Sequence, residues 1–208
     1  MIEDLKKYLK KNKINLIIYG ETHGFLDDSQ IQEEIIKVFN PTKFLYEMLE
    51  ETELLTGKEK KIFLNNPDNK EFSLISTFGD LKKTIFLASK YNLPIVGNDI
   101  KNMGWEDKKI LAKSKLTKEE LRIEKEIIFK REKKQAEIIR KNLKMGEKVF
   151  ATTGAFHLRK DSPLLNLQEN YVIIYPIYSG NQLFAPPKNF DSKKVGLKIK
   201  VLYGKKKN

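Results

Sequence analysis

Cysteine is absent from this 208-residue chain, which excludes disulfides, thiolate metal sites and a thiol nucleophile and fits a reducing compartment. Arginine is nearly absent as well, with four residues (Arg122, Arg131, Arg140, Arg159) against 36 lysines. That scarcity weakens a reading in which the formal charge of +12 serves nucleic acid, because arginine is the better bidentate reader of bases and phosphates. Much of the excess charge sits between Pro187 and Asn208, where eight lysines face one aspartate. No apolar run approaches the roughly 20 residues of a membrane helix, and Met1-Ile2-Glu3-Asp4-Leu5-Lys6-Lys7 has no apolar signal core. The expectation is a cytoplasmic protein, neither exported nor attached to a membrane.

Enough apolar material is present for a core: 40% of residues are hydrophobic, 10% aromatic and 33% charged, the balance of a folded chain with a solvated surface. The length suits one domain over residues 1–204, followed by a short basic tail at 205–208.

Histidine is the other scarce residue, and its two copies carry the strongest signal. Each ends a Gly-x-x-His segment behind a short apolar run: Ile17-Ile18-Tyr19-Gly20-Glu21-Thr22-His23, and Val149-Phe150-Ala151-Thr152-Thr153-Gly154-Ala155-Phe156-His157. With 11 glycines in 208 residues, chance sets glycine at that offset from both histidines only about 0.3% of the time. The two segments are expected to belong to one site.

Along the chain, strands and helices alternate. Residues 1–12 read as a polar helix, Asn15 to Gly20 as a buried strand, Ser29 to Phe39 as a helix stopped by Pro41, and Lys43 to Glu47 as a second strand. Glu50 to Leu64 reads as helical, Asn65-Asn66-Pro67-Asp68-Asn69 as a loop, Phe78 to Tyr91 as a helix, and Leu93 to Val96 as a strand closed by Gly97. Thr117-Lys118-Glu119-Glu120 is a capping box opening a long helix that runs to about Met145. Strands follow at Lys148 to Thr153, Tyr171 to Tyr178 and Val195 to Tyr203, with Ser179-Gly180-Asn181 read as a hairpin turn. This order predicts an α/β fold: a mostly parallel or mixed central sheet flanked by helices, with the site at the strands' carboxyl ends.

Several acids and one arginine fall at that edge. Glu21 stands two residues before His23, so in extended chain the two share a face. Glu47 closes the apolar run Phe44-Leu45-Tyr46, where a half-buried carboxylate needs a partner. Asp99 follows Val96-Gly97-Asn98 and either joins the site or caps the next turn. Arg131 lies on the long helix beside the stripe of Ile127, Ile128 and Gln135, able to hold Glu47 or to clamp a carboxylate, phosphate or developing oxyanion. His23 and His157 suit general acid/base work or metal ligation.

A strand ending in Gly-Glu-x-His, a glutamate on the next strand, a helical arginine and a terminal Gly-x-x-His together resemble one superfamily. It contains the TraB/PrgY pheromone-shutdown proteins, Tiki proteases, erythromycin esterases and ChaN-like haem-binding proteins. The resemblance spans residues from about 14 to 178. It implies an α/β domain whose cleft collects Glu21, His23, Glu47, Arg131 and His157, with Asp99 matching more loosely. Activities in the superfamily range over ester cleavage, metal-dependent peptide cleavage and haem binding, so membership leaves the chemistry open. The membrane segments of many TraB proteins and the lipidated cysteine of ChaN have no counterpart here.

Three functions follow as expectations. The first is a hydrolase of an ester, amide or peptide bond, acting on a small-molecule or peptide substrate. Either histidine would activate water, and Arg131 would stabilise negative charge. A metal version would use His23, Glu47 and His157 to hold zinc, manganese or iron. The second is a binding protein for haem or another small ligand, without turnover. The third and weakest is nucleic-acid binding through the basic tail.

Overall fold

In the computed structural model the described residues are 2–21, 28–51, 54–55, 57–58, 80–106, 110, 113, 115–143, 147–159, 161–167, 170–178 and 197–201. They form strands β1 (Leu16–Glu21), β2 (Lys43–Glu50), β3 (Leu54–Leu55), β4 (Ile95–Asp99), β5 (Val149–Gly154), β6 (Tyr171–Tyr178) and β7 (Leu197–Val201). Four helices flank them: α1 (Ile2–Lys11), α2 (Asp28–Phe39), α3 (Asp80–Lys90) and α4 (Lys118–Leu143). The sheet order is β3-β4-β2-β5-β1-β6-β7, with every pairing parallel except β3 with β4. This is the expected α/β architecture, and no helix among the described residues is long and apolar enough to cross a membrane.

Alternation along the strands sorts side chains into two layers. Ile17, Tyr19, Phe44, Tyr46 and Phe150 pack with Leu5 and Leu9 of α1, Ile35 and Ile36 of α2 and Ile85 of α3. Leu16, Ile18, Leu45, Val149 and Ala151 face the other way, onto Ala136, Ile138, Ile139 and Leu143 of α4. The chain therefore runs α1, α2 and α3 over one face, leaves β4, and crosses the opposite face on α4 before inserting β5 between β2 and β1. That crossing matters for the site. At 26 residues α4 is roughly 39 Å long, well beyond the length of β5, and its buried residues begin only at Ile127. The capping box forms as expected: Glu120 N–H donates to Thr117 Oγ1 (3.2 Å) and Thr117 N–H to Glu120 Oε2 (2.8 Å).

Three local expectations are corrected. Leu54–Leu55 is a strand, not helix, and supplies the antiparallel edge on β4. Gly97 lies inside β4 rather than ending it. A Cβ there would stand 1.6 Å from the Glu50 carbonyl oxygen, so glycine is required where the end of β2 crosses β4. β6 and β7, expected to be joined as a hairpin, pair in parallel instead, whereas a two-residue turn joins only antiparallel strands; Ser179-Gly180-Asn181 itself lies outside the described residues. The Asn65–Asn69 loop and the 205–208 tail lie outside the described residues.

Candidate functional site

The site is built outward from Glu47. On β2, Leu45 faces α4 while Phe44 and Tyr46 face the other layer, so alternation directs Glu47 towards α4. Its Oε1 accepts from Arg131 Nη2 (2.8 Å) and His157 Nε2 (2.9 Å), and its Oε2 accepts from Thr153 Oγ1 (2.7 Å) and Gly154 N–H (2.5 Å). A carboxylate only 2% exposed would ordinarily favour its neutral form. Burial does push Glu47 up, but His157, Arg131 and the Gly154 N–H outweigh it and hold the carboxyl well below its usual range.

Asp99 anchors the other side of the arginine. The β2–β4 register slips between Tyr46↔Gly97 and Glu50↔Asp99, so β2 spends more residues than β4 over the last stretch, and both strands end level at the carboxyl edge. Arg131 Nε donates to Asp99 Oδ1 (3.1 Å) and Oδ2 (2.9 Å), and its Nη2 also donates to Oδ2 (2.5 Å). Asp99 additionally accepts the Ile100 N–H at 2.7 Å, the turn-capping role that was its alternative, so it serves both purposes. Burial, helped by Glu47, raises the Asp99 carboxyl against the pull of Arg131. Beside it, Glu50 Oε1 accepts the N–H of Asn102, the first of three consecutive residues with positive φ (Asn102, Met103, Gly104).

His157 stands on the short 3₁₀ turn Ala155–Leu158 that follows β5, and both its ring nitrogens are engaged. Nε2 meets Glu47 Oε1 and Nδ1 meets Glu132 Oε1, each at 2.9 Å. A ring between two carboxylates donates from both nitrogens only when protonated. Burial opposes that charge, yet Glu47 and Glu132 prevail and raise His157 to about 9 from the ordinary 6.5. Glu132, which is fully buried, also accepts from Arg159 Nη1 and from Arg159 Nη2 (2.9 Å). Three carboxylates, Glu47, Asp99 and Glu132, thus interlock with two guanidiniums and one imidazolium.

Four of the expected residues come together in this network: Glu47, Asp99, Arg131 and His157. Glu21, 5% exposed, ends β1 with its Cα opposite Gly154, and accepts from Gln32 Nε2 of α2 at 3.4 Å. Alternation sends it with Tyr19 to the face of α2 rather than that of α4. His23 lies outside the described residues. Glu132, Arg159 and Thr153 were missed. Glu132 is hidden in the run Lys130-Arg131-Glu132-Lys133-Lys134, although it falls four residues after Ile128 and three before Gln135, on the buried stripe. Arg159 follows His157 by two, the spacing that paired Glu21 with His23.

Among the described residues no three His, Asp or Glu side chains form a metal cage. Each ring nitrogen of His157 has a carboxylate oxygen at 2.9 Å, so a metal or a haem iron held by His157 would have to displace Glu47 or Glu132 from one of them.

No family model and no curated protein matches the chain. Among solved structures it is similar to the type III effector HopBA1, at 14% identity and a TM-score of 0.56 over 86% of this chain and 84% of that one. It is also similar to ChaN of Campylobacter jejuni, described in terms of cofacial heme binding, at 15% identity and a TM-score of 0.50 over 88% and 89% of the two chains. At such identity the likeness is one of fold, and the fold is ChaN-like.

Proposed function

We propose that the carboxyl edge of the sheet binds a small molecule through an oxygen that Arg131 contacts. One observation carries this reading. Asp99 and Glu47 hold Arg131 through Nε and Nη2, while Nη1 has no partner among the described residues and the side chain is 13% exposed. A guanidinium fixed in advance needs little reorganisation to meet a carboxylate or a polarised ester or amide carbonyl. Small carboxylates titrated into the protein and followed by NMR test this. Arg131→Lys and Arg131→Gln, folded by circular dichroism, should weaken binding about tenfold or more; unchanged affinity in both would sink the reading.

Hydrolysis of an ester, amide or peptide is a second reading, favoured by a further buried carboxylate, Glu21, at the same edge two residues before His23. The protonated His157 then holds Glu47 and Arg131 in place, and the base that activates water is drawn from Glu21 and His23. Esterase and peptidase screening supplies the substrate. Full turnover in folded Glu21→Gln and His23→Ala proteins would dispose of this reading. Elemental analysis and chelation test the metal version, and a haem titration without a Soret change would end the haem alternative. Nucleic-acid binding fails if truncation after Tyr203 changes neither affinity nor salt dependence.

A further inference from the structure

At the amino edge of the sheet, the ends of α1 and α2 and the residues just before β1 and β5 border a cavity of about 450 Å³, within the size range of small-molecule sites. Val149 N–H donates to the Asn15 carbonyl (2.9 Å), which brings Lys148, before β5, beside the start of β1. Leu9, Ile14 and Phe39, all buried, give the cavity an apolar floor, and Lys6, Lys10, Lys13 and Lys148 also line it. The Lys148 ammonium stands over the Phe39 ring, 5.8 Å from its centroid, so one positive charge is placed against that floor. Lysine supplies 36 of the 208 residues, so composition alone would put about one or two among the nine lining residues; four are there, and no carboxylate.

The four lysines are not committed elsewhere. Lys37, Lys90, Lys113 and Lys134 each meet a carboxylate within 2.9 Å, whereas none of the cavity's four has such a partner among the described residues. The end of α1 does not need them either. Its Tyr8, Leu9 and Lys10 carbonyls accept from the N–H groups of Asn12 (3.0 Å), Ile14 (3.1 Å) and Lys13 (3.3 Å), a Schellman closure. That closure holds Lys13 at a φ of 50°. The same position after α2 and α3 is filled by Asn40 and Asn92, a side chain that tolerates the left-handed region, so lysine at 13 goes against backbone preference.

We propose that this cavity is a second binding site, which takes a small molecule through a pyrophosphate or polyphosphate group held by Lys6, Lys10, Lys13 and Lys148. Ammonium groups bind phosphate as point charges, without the planar fit that arginine offers a carboxylate, and four of them match a multiply charged anion. A concave site between two helix ends suits a compact phosphate ester better than the extended backbone of a nucleic acid, which calls for a basic stripe.

The test titrates pyrophosphate into the full chain at low salt and follows it by NMR. Shifts should gather at Ile14, Val38 and Val149 and survive Arg131→Gln. Lys13→Asn, which the backbone accepts, combined with Lys148→Gln should weaken binding about tenfold or more. Lys7→Gln with Lys11→Gln removes the same charge from exposed lysines of α1 outside the cavity, and should change affinity less than about twofold. Equal losses in the two double variants would reduce the site to diffuse attraction by a basic surface and overturn the proposal. So would a wild type without shifts, shifts that vanish in Arg131→Gln, or an oligonucleotide that binds more tightly than pyrophosphate and is weakened alike by both pairs.

Discussion

Two charged networks among the described residues invite comparison, one in water and one out of it. On the surface, Glu33 of α2 accepts from Lys37, from Lys90 of α3 and from the Tyr91 hydroxyl at 2.9, 2.9 and 2.8 Å. At the carboxyl edge, Glu47 and Glu132 accept from Arg131, His157 and Arg159 at similar distances. The local geometry is alike, and in both places donors lower a carboxylate: Glu33 is drawn to about 2 by Lys90, Lys37 and Tyr91, and Glu47 falls well below its usual value in spite of burial. The surroundings differ. The side chains of Lys37 and Lys90 are 55% and 51% exposed, whereas those of Glu132 and Glu47 are 0% and 3% exposed. Water replaces a partner lost at the first network, but nothing replaces one lost at the second.

The sharpest way to break this contrast is to remove Glu132. Glu132→Ala strips a carboxylate from both His157 and Arg159 and leaves their donors buried, which is expected to cost about 3–5 kcal/mol in urea denaturation. A loss below about 1 kcal/mol would mean that water reaches the cluster and that the two networks are of one kind.

Next in size is a pH effect. His157 has its folded value raised to about 9 from 6.5, so the stability it contributes is fully present below pH 6.5 and is lost as pH rises through 9. The shift corresponds to about 3 kcal/mol. That figure is not added to a separate one for Glu47, whose lowering comes partly from the same ion pair. Denaturation midpoints from pH 6 to 10 should fall in the wild type and stay nearly level in His157→Gln. With two histidines in the chain, the imidazole titrations can be assigned by that same substitution. A His157 value near 6.5 would remove the buried imidazolium from the account.

Thr153→Val is a smaller probe, isosteric and confined to one of the four hydrogen bonds on Glu47. It should cost about 1–2 kcal/mol, since three donors remain. A larger loss would show that the network acts as a unit rather than bond by bond.

How much of this contrast is legible in the sequence depends on whether a signal is local. Glu47 is conspicuous because a carboxylate interrupts an apolar strand, and the α4 start is conspicuous because Thr117 and Glu120 make a capping box. Glu132 is not conspicuous, because a run of five charged residues resembles a solvated face unless each is placed on the 3.6-residue period. Gly97 reads as a strand stop, yet its cause is a backbone crossing by Glu50, distant in sequence. The direction of β7 was lost for the same reason: Ser179-Gly180-Asn181 has turn chemistry, but parallel pairing is decided by the sheet. Two equal clusters of charge in a sequence cannot be ranked until their burial is known.

Glu33→Gln therefore supplies the quiet half of the contrast. The substitution keeps the side chain's shape and removes the charge that Lys37, Lys90 and Tyr91 share. Because the Lys37 and Lys90 side chains that hold Glu33 are about half exposed, its low value is screened by solvent and converts poorly into stability. The denaturation midpoint should move by little more than the error of the measurement, and the remaining difference from wild type should vanish in about 1 M salt, where the Debye length is about 3 Å. The Glu132→Ala difference should persist in that salt, since its charges are shielded by protein rather than by ions. A Glu33→Gln loss as large as that of Glu132→Ala, and equally indifferent to salt, would erase the distinction between the two networks.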